Sequence, residues 1–224
     1  MGNWFRRWRS EHRGGSDGSE GEPSPVVDGT ITAAALATVR AHADAGDPEA
    51  MANLGAHFYQ IGDHIQGISW TERAWSAGNL NAGFNLGTFY LNSGDTHRAD
   101  LIWTQAAERG DADAMMCVAR LALGRGDEAV ADKWRERILV QDQPYPITAL
   151  GVAYRDHADP ITAMRIFARS IALGDAYAME YAARIHELNG DISAARQLRT
   201  QAAQSTRFGW GLIESGHAGP SEAG

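Results

Sequence analysis

The chain has 224 residues, and its 44% hydrophobic and 21% charged content is ordinary for a globular protein with a sizeable core. The net charge of −8 argues against nucleic acid as a partner, because phosphate binding requires a cationic surface. The single cysteine, Cys117, excludes an internal disulfide framework and favours a cytoplasmic location. No segment reaches the roughly 18 apolar residues that a membrane span needs.

Residues 1–29 are predicted to form a disordered tail, because glycine, serine, glutamate and proline dominate residues 14–25. At its start, Trp4, Phe5 and Trp8 would share one face of a short helix, with arginines around it. Segments of this kind dock on proteins or lie on anionic membranes. Simple disorder is the first interpretation, docking on a protein the second, and a minor membrane contact the third.

Helix signals begin at Thr30, which is predicted to cap a helix that ends near Gly46. This helix has no partner of its own and is expected to cap an array of repeats. Five copies of a 32-residue unit then follow without interruption. They start at Gly46, Gly78, Gly110, Asp142 and Gly174.

Each unit reads as two helices, A and B, and positions are counted from its first residue. Apolar or small residues at positions 9, 10 and 13 recur at helical intervals and predict the buried stripe of helix A. Positions 22 and 25 do the same for helix B. Position 9 holds Leu54, Leu86, Val118, Leu150 and Ala182, and position 22 holds Gly67, Ala99, Ala131, Ala163 and Ala195.

The turns carry a glycine followed by an aspartate. Glycine adopts the left-handed conformation that ends a helix, and aspartate accepts the free amides that open the next one. Eight aspartates are thereby predicted to be caps, so the acidic balance needs no acidic binding surface to explain it. They are Asp47, Asp63, Asp95, Asp111, Asp127, Asp159, Asp175 and Asp191.

One junction departs from the pattern, because Asp142 replaces the glycine and two prolines follow at 144 and 146. Proline is tolerated in a first helical turn, so helix A of the fourth repeat is predicted to start at about Pro144. A bend or a looser contact in the stack is expected here.

The small residues at positions 10, 22 and 29 and the Gly-Asp turn resemble tetratricopeptide repeats. The junctions AAERGDADAM and AWSAGNLNAGFNLG resemble Sel-one-like repeats. The resemblance implies an all-α solenoid over residues 30–205, with five helix-turn-helix repeats, about ten helices, plus the N-terminal capping helix. Residues 206–224 would supply a capping segment and a disordered tail. The helix A surfaces would line a concave groove for a protein or peptide.

If the resemblance holds, the groove is lined from positions 4, 7, 11, 14 and 15. We hypothesise that Arg120, Arg155 and Arg184 read a carboxylate or an acidic segment, because guanidinium groups bind paired oxygens. The alternative is that these arginines pair with acidic residues of the chain itself. The groove candidates are Tyr59, Asn81, Phe84, Thr88, Asn92, Met116, Arg120, Arg155, Tyr177 and Arg184.

Candidate chemistry is scattered rather than convergent. His57 and His64 flank a turn but lack a third ligand of matching spacing, so no metal site is predicted. Cys117 has no neighbouring base in a nucleophile pattern and is interpreted as a buried thiol, and His186 as a packed core residue. The favoured function is a non-enzymatic scaffold without a cofactor. The alternatives are a membrane-surface adaptor tethered by its N-terminus, and an accessory or sensor domain of an enzyme system.

Overall fold

A computed structural model describes residues 33–205 in full, together with the backbone of two short strands before them. Strand β1 is Val26–Val27 and β2 is Thr30–Ile31, and they pair as an antiparallel hairpin. Thr30 is therefore extended and does not cap a helix, and the first helix begins at Ala33. The interpretations of residues 1–25 and 206–224 lie outside the described residues.

Residues 33–205 form eleven helices, as the repeat pattern predicts. Helix α1 precedes the five repeats, and each repeat then contributes one helix A and one helix B. The helices A are α2 (Pro48–Gln60), α4 (Leu80–Asn92), α6 (Ala112–Arg125), α8 (Pro144–Asp156) and α10 (Ala176–Leu188). The others are α1 (Ala33–Asp44) and the helices B, α3 (His64–Ser76), α5 (Thr96–Glu108), α7 (Glu128–Leu139), α9 (Pro160–Ala172) and α11 (Ile192–Gln204).

The helix ends follow the predicted turn chemistry. All eight predicted aspartates accept a backbone amide at the start of a helix, and Asn79 does the same for α4. A representative bond runs from the Ala114 amide to Asp111 Oδ1 at 2.9 Å. The turn between α8 and α9 has no glycine, and Ala158 takes the left-handed conformation there with φ of 59°. The acidic residues of the turns are thus accounted for by capping.

The two helices of each repeat pack against each other, and helix A of the next repeat generally packs on the helix B before it. The predicted small and apolar stripes meet at these contacts. Positions 9, 10 and 22 are buried in all five repeats, and the tryptophans Trp70, Trp75, Trp103 and Trp134 lie in the core. The core therefore runs as one strip along the stack.

The third and fourth repeats meet differently, as the two prolines suggested. Helix α8 begins at Pro144, and its N-cap residue, Gln143, makes no side-chain capping bond. Here α8 packs mainly against α6, the previous helix A, and only slightly against α7. The helix B layer is consequently more open at this junction than elsewhere in the stack.

Adjacent repeats are also joined by a buried tyrosine, Tyr90 of α4, whose hydroxyl donates a short hydrogen bond to Glu72 of α3. Burial first, and then this bond to a carboxylate, raise the pKa of Tyr90 to about 12. The folded state therefore holds the phenol proton more tightly than the unfolded chain does, where the pKa is about 10.

We expect this contribution to stability to be complete below pH 10 and to be lost as the pH rises from about 10 through about 12. A titration of tyrosinate absorbance should show a late-ionising tyrosine that disappears in Tyr90→Phe. Burial also raises the pKa of Tyr154, so the comparison with Tyr90→Phe is needed to assign the late step. An unchanged titration curve in this variant would contradict the assignment.

Candidate interaction surface

The accessible face of the helices A follows positions 4, 8, 11 and 15, which lie three or four residues apart and so share one side of a helix. We call this surface the helix-A face. Most of its side chains are exposed or half-buried, and Cys117 at position 8 is a buried exception. Its non-glycine residues with polar or aromatic character are Glu49, Asn53, Gln60, Asn81, Asn85, Thr88, Asn92, Asp113, Arg120, Tyr145, Asp156, Tyr177, Tyr181 and Arg184.

Three of the predicted groove residues are in the core instead. Phe84 and Met116, both at position 7, are 2% and 1% exposed, and Tyr59 at position 14 is 7% exposed. Tyr59 stacks on Phe89 of the next repeat with ring centroids 3.6 Å apart. The prediction that these side chains line an open groove is therefore wrong.

The reason is the direction in which these positions point. Position 7 faces the following repeat, as Thr148 illustrates by donating a hydrogen bond to Asp175 at 2.5 Å. At position 7 of the last repeat, Glu180 is exposed. Positions 7 and 14 thus serve packing between repeats, and position 8 takes the place of position 7 on the accessible face.

Other predicted residues do lie on the helix-A face. Asn81 and Asn92 are exposed, whereas Arg120 and Tyr177 are half-buried. Thr88 is half-buried, and its hydroxyl donates to the Phe84 carbonyl at 2.9 Å. The aromatic residues Trp4, Phe5 and Trp8 lie outside the described residues.

Position 8 contributes residues that the sequence reasoning missed. Asn53 and Asn85 extend the amide character of the first two repeats, and Tyr181 adds an aromatic ring in the last one. The sequence contained a signal for the exposure of position 8, because this position is asparagine in the first two repeats and asparagine is seldom found in a protein core. The helix-A face is thus rich in amides at one end and in tyrosines at the other.

The three arginines of the carboxylate hypothesis have different surroundings. Arg155 forms an ion pair with Asp156 at 2.7 Å, and its guanidinium lies 5.1 Å from the ring centroid of Tyr181. This matches the alternative in which an arginine pairs with an acid of the chain itself. Arg184 is exposed and makes no ion pair within residues 33–205.

The two acids expected beside Arg184 are held by another residue. Arg199 of α11 binds Glu180 at 3.1 Å and also binds Glu187. The hydrogen bond from Arg199 lowers the pKa of Glu187, so this carboxylate stays charged. Arg184 also contributes electrostatically to lowering the pKa of Glu187, and it is exposed at the tyrosine-rich end of the face.

The histidines and the cysteine do not converge. Cys117 is buried as expected, whereas His186 is only half-buried and lies 3.5 Å from Asp191, so its core assignment is wrong. The ring of His64 packs 4.5 Å from that of Tyr59. Among the described residues there is no group of three histidines, cysteines or acids arranged to hold a metal ion.

The fold is an α-solenoid similar to those of tetratricopeptide and Sel1-like repeat proteins, as the sequence resemblance implied. The solved structure of a Sel1 repeat protein from Oxalobacter formigenes is similar, with a TM-score of 0.54 and 22% identity over 75% of this chain and 84% of the other. The C-terminal part of a TPR repeat-containing protein from Cytophaga hutchinsonii matches with a TM-score of 0.53 and 14% identity, over 77% and 73% of the two chains.

A solved structure of MamA is also similar, with a TM-score of 0.51 and 16% identity over 67% of this chain and 93% of that protein. These likenesses establish the fold. No protein-family model and no curated protein sequence matches the chain. In the described part of the chain, none of the helices has the length and apolar character required to cross a membrane.

Proposed function

We propose that this protein is a non-enzymatic interaction scaffold that binds an extended segment of a partner protein along the helix-A face. The fold supports this role, because stacked helix pairs present long surfaces suited to peptides. The observation that carries the proposal is the series of asparagines on neighbouring helices, chiefly Asn81, Asn85 and Asn92 of α4. We place the function in the cytoplasm, consistent with a single buried thiol.

Asparagine suits this task because its side chain both donates and accepts hydrogen bonds, as a peptide bond does. An extended segment presents one amide and one carbonyl per residue. Amides spaced along a helix face can therefore bind peptide backbone without demanding a particular sequence. The tyrosines of the last two repeats add flat apolar surface with a polar tip.

The partner segment is proposed to be acidic, or to end in a carboxylate, where it reaches the last repeat. Arg184 is exposed there, close in sequence to Tyr177 and Tyr181 on the same face. A guanidinium binds a carboxylate through two parallel hydrogen bonds, which fixes orientation as well as charge. Arg155 is proposed to contribute less to partner binding, because its guanidinium already forms an ion pair with Asp156.

The test starts with peptides selected from a random displayed library on the full-length protein. We expect the triple substitution Asn81→Ala, Asn85→Ala and Asn92→Ala to weaken their binding about tenfold or more, because net hydrogen bonds contribute roughly 0.5 to 1.5 kcal/mol each. Fluorescence anisotropy of labelled peptides gives the dissociation constants.

A matched control removes three exposed amides from the helices B, through Gln105→Ala, Gln197→Ala and Gln201→Ala. This control should bind the peptides as tightly as the unaltered chain. Equal weakening in both triple variants, or none in either, would refute binding at the helix-A face. Thermal unfolding curves of both variants establish that the comparison is made between folded proteins.

A further inference from the structure

A cavity of about 360 Å³ opens at the junction of the third and fourth repeats. It lies between the turn that joins α6 to α7 and the turn that joins α8 to α9, and none of its lining residues belongs to the helix-A face. Its volume far exceeds the roughly 10 to 15 Å³ that a cavity needs to hold one water molecule, so it has room for a side chain. Its lining residues are Leu123, Gly126, Glu128, Asp132, Arg135, Tyr154, His157, Asp159 and Thr162.

At the wall of the cavity, position 26 of the third repeat is not an aromatic packing residue. In the second and fourth repeats this position is Trp103 or Phe167, each fully buried against a glycine at position 10 of the same repeat. In the third repeat the pair is Arg135 and Ala119, as it is Arg199 and Ala183 in the fifth, and the first repeat pairs Thr71 with Gly55. Helix α8 also packs mainly on α6 and only slightly on α7. The space between the third and fourth repeats is therefore not filled by an aromatic ring at position 26 of the third repeat.

Arg135 lies on the wall of the cavity and has only 20% of its side chain exposed. It pairs with Asp132 and Glu136, and it donates to the Tyr154 hydroxyl at 3.2 Å. The Tyr154 hydroxyl in turn lies 3.2 Å from Asp132. The second and fourth repeats place aromatic rings at this position, whereas a partly buried cation is costly unless paired, and the acidic partners of Arg135 compensate its charge.

The remaining charge of the lining is negative. The lining contains three carboxylates, those of Glu128, Asp132 and Asp159, and one guanidinium, that of Arg135. The hydrogen bonds from Thr162 lower the pKa of Asp159, which keeps it ionised. The side chains of Asp132 and Glu136 are 54% and 70% exposed, so their oxygens also remain accessible to a second cation.

The geometry points to a docking site for a basic side chain, arginine or lysine, of a protein partner. Its charged group would approach Asp132 and Glu128. Its methylene stem would lie along Leu123 and Gly126 at the mouth. The site is separate from the helix-A face, so this proposal and the proposed function can fail independently.

The experiment measures anisotropy of a fluorescent peptide of four arginines flanked by glycines, at low salt, with the full-length protein. The same peptide with citrulline, which keeps the shape but not the charge, is the ligand control. The double substitution Glu128→Gln and Asp132→Asn should weaken binding of the arginine peptide about fivefold or more. Replacing the arginines of the peptide with citrulline should also weaken binding to the unaltered chain. This loss should be at least as large as the loss that the double substitution causes with the arginine peptide.

A matched control, Asp44→Asn with Glu180→Gln, removes the same charge from exposed sites elsewhere and should leave binding unchanged. Equal weakening by the two double variants, or equal binding of the two peptides, would overturn the proposal. Glu128→Gln alone keeps every contact of Arg135 and should weaken binding about twofold, so the test survives even if Asp132→Asn disturbs folding.

One further variant addresses the arginines of the chain's own N-terminus. Replacing Arg6, Arg7, Arg9 and Arg13 with glutamine should leave binding of the peptide unchanged if the site serves a partner. Binding that appears only in this variant would overturn the assignment to a partner, because the chain's own segment would then be the occupant.

Discussion

Replacing Asp175 with alanine is expected to lower the free energy of unfolding by about 3 kcal/mol, because this carboxylate is both a helix cap and the centre of a buried polar cluster. It is 5% exposed and accepts hydrogen bonds from Thr148 Oγ1 at 2.5 Å and from the Tyr177 amide at 3.0 Å. Ser170 Oγ lies 3.1 Å from Asp175 and 3.0 Å from the Pro144 carbonyl. The cluster joins the ends of α8, α9 and α10.

The matched control is Asp127→Ala, which removes the cap of α7 at an exposed turn where the carboxylate accepts the Val130 amide at 3.2 Å. Losing an exposed cap typically costs about 1 kcal/mol. Urea unfolding followed by circular dichroism compares the two variants. Equal losses of stability would mean that Asp175 acts only as a cap and that the buried hydroxyls contribute nothing.

The capping role of Asp175 was predictable from sequence, whereas its buried cluster was not. A cap is made with amides two or three residues away, so the Gly-Asp turns contain all the information needed. Thr148 is 27 residues distant and reaches Asp175 only because the fourth and fifth repeats stack. Local chemistry therefore determined where the helices begin and end, and stacking determined which polar groups meet.

The groove assignment was wrong at positions 7 and 14 for a related reason. Positions 4, 7, 11 and 14 and positions 4, 8, 11 and 15 are both spaced at helical intervals, so periodicity supports either set. The two sets differ by a small rotation of helix A, which is set by the packing of neighbouring repeats. Burial of Phe84 and accessibility of Asn85, adjacent in sequence, show which rotation the stack adopts.

The cavity at the third junction had a sequence signal that was readable only in register. Positions 10 and 26 pair glycine with tryptophan or phenylalanine in two repeats, but alanine with arginine in the third and the fifth. The two prolines marked the same junction as irregular. Neither feature reveals a cavity by itself, because the open space depends on α8 moving toward α6 and away from α7.

The pairing of positions 10 and 26 leads to a second expectation, that Gly87→Ala destabilises the protein by about 2 kcal/mol although alanine is the better helix former. A Cβ at this site would stand 2.4 Å from Trp103 Nε1 and 2.5 Å from Cδ1. Trp103 is 1% exposed, and its Nε1 donates to the Phe84 carbonyl at 3.1 Å. The ring cannot yield without losing this buried hydrogen bond.

Gly124→Ala is the matched control, since a Cβ at that exposed helical site would contact nothing within 4 Å. It should stabilise the protein by about 0.5 to 1 kcal/mol, the ordinary gain of alanine over glycine in a helix. Urea unfolding should thus move the two variants in opposite directions. Stabilisation by Gly87→Ala would show instead that Trp103 can shift freely, and that contact at positions 10 and 26 does not set how closely helices A and B approach.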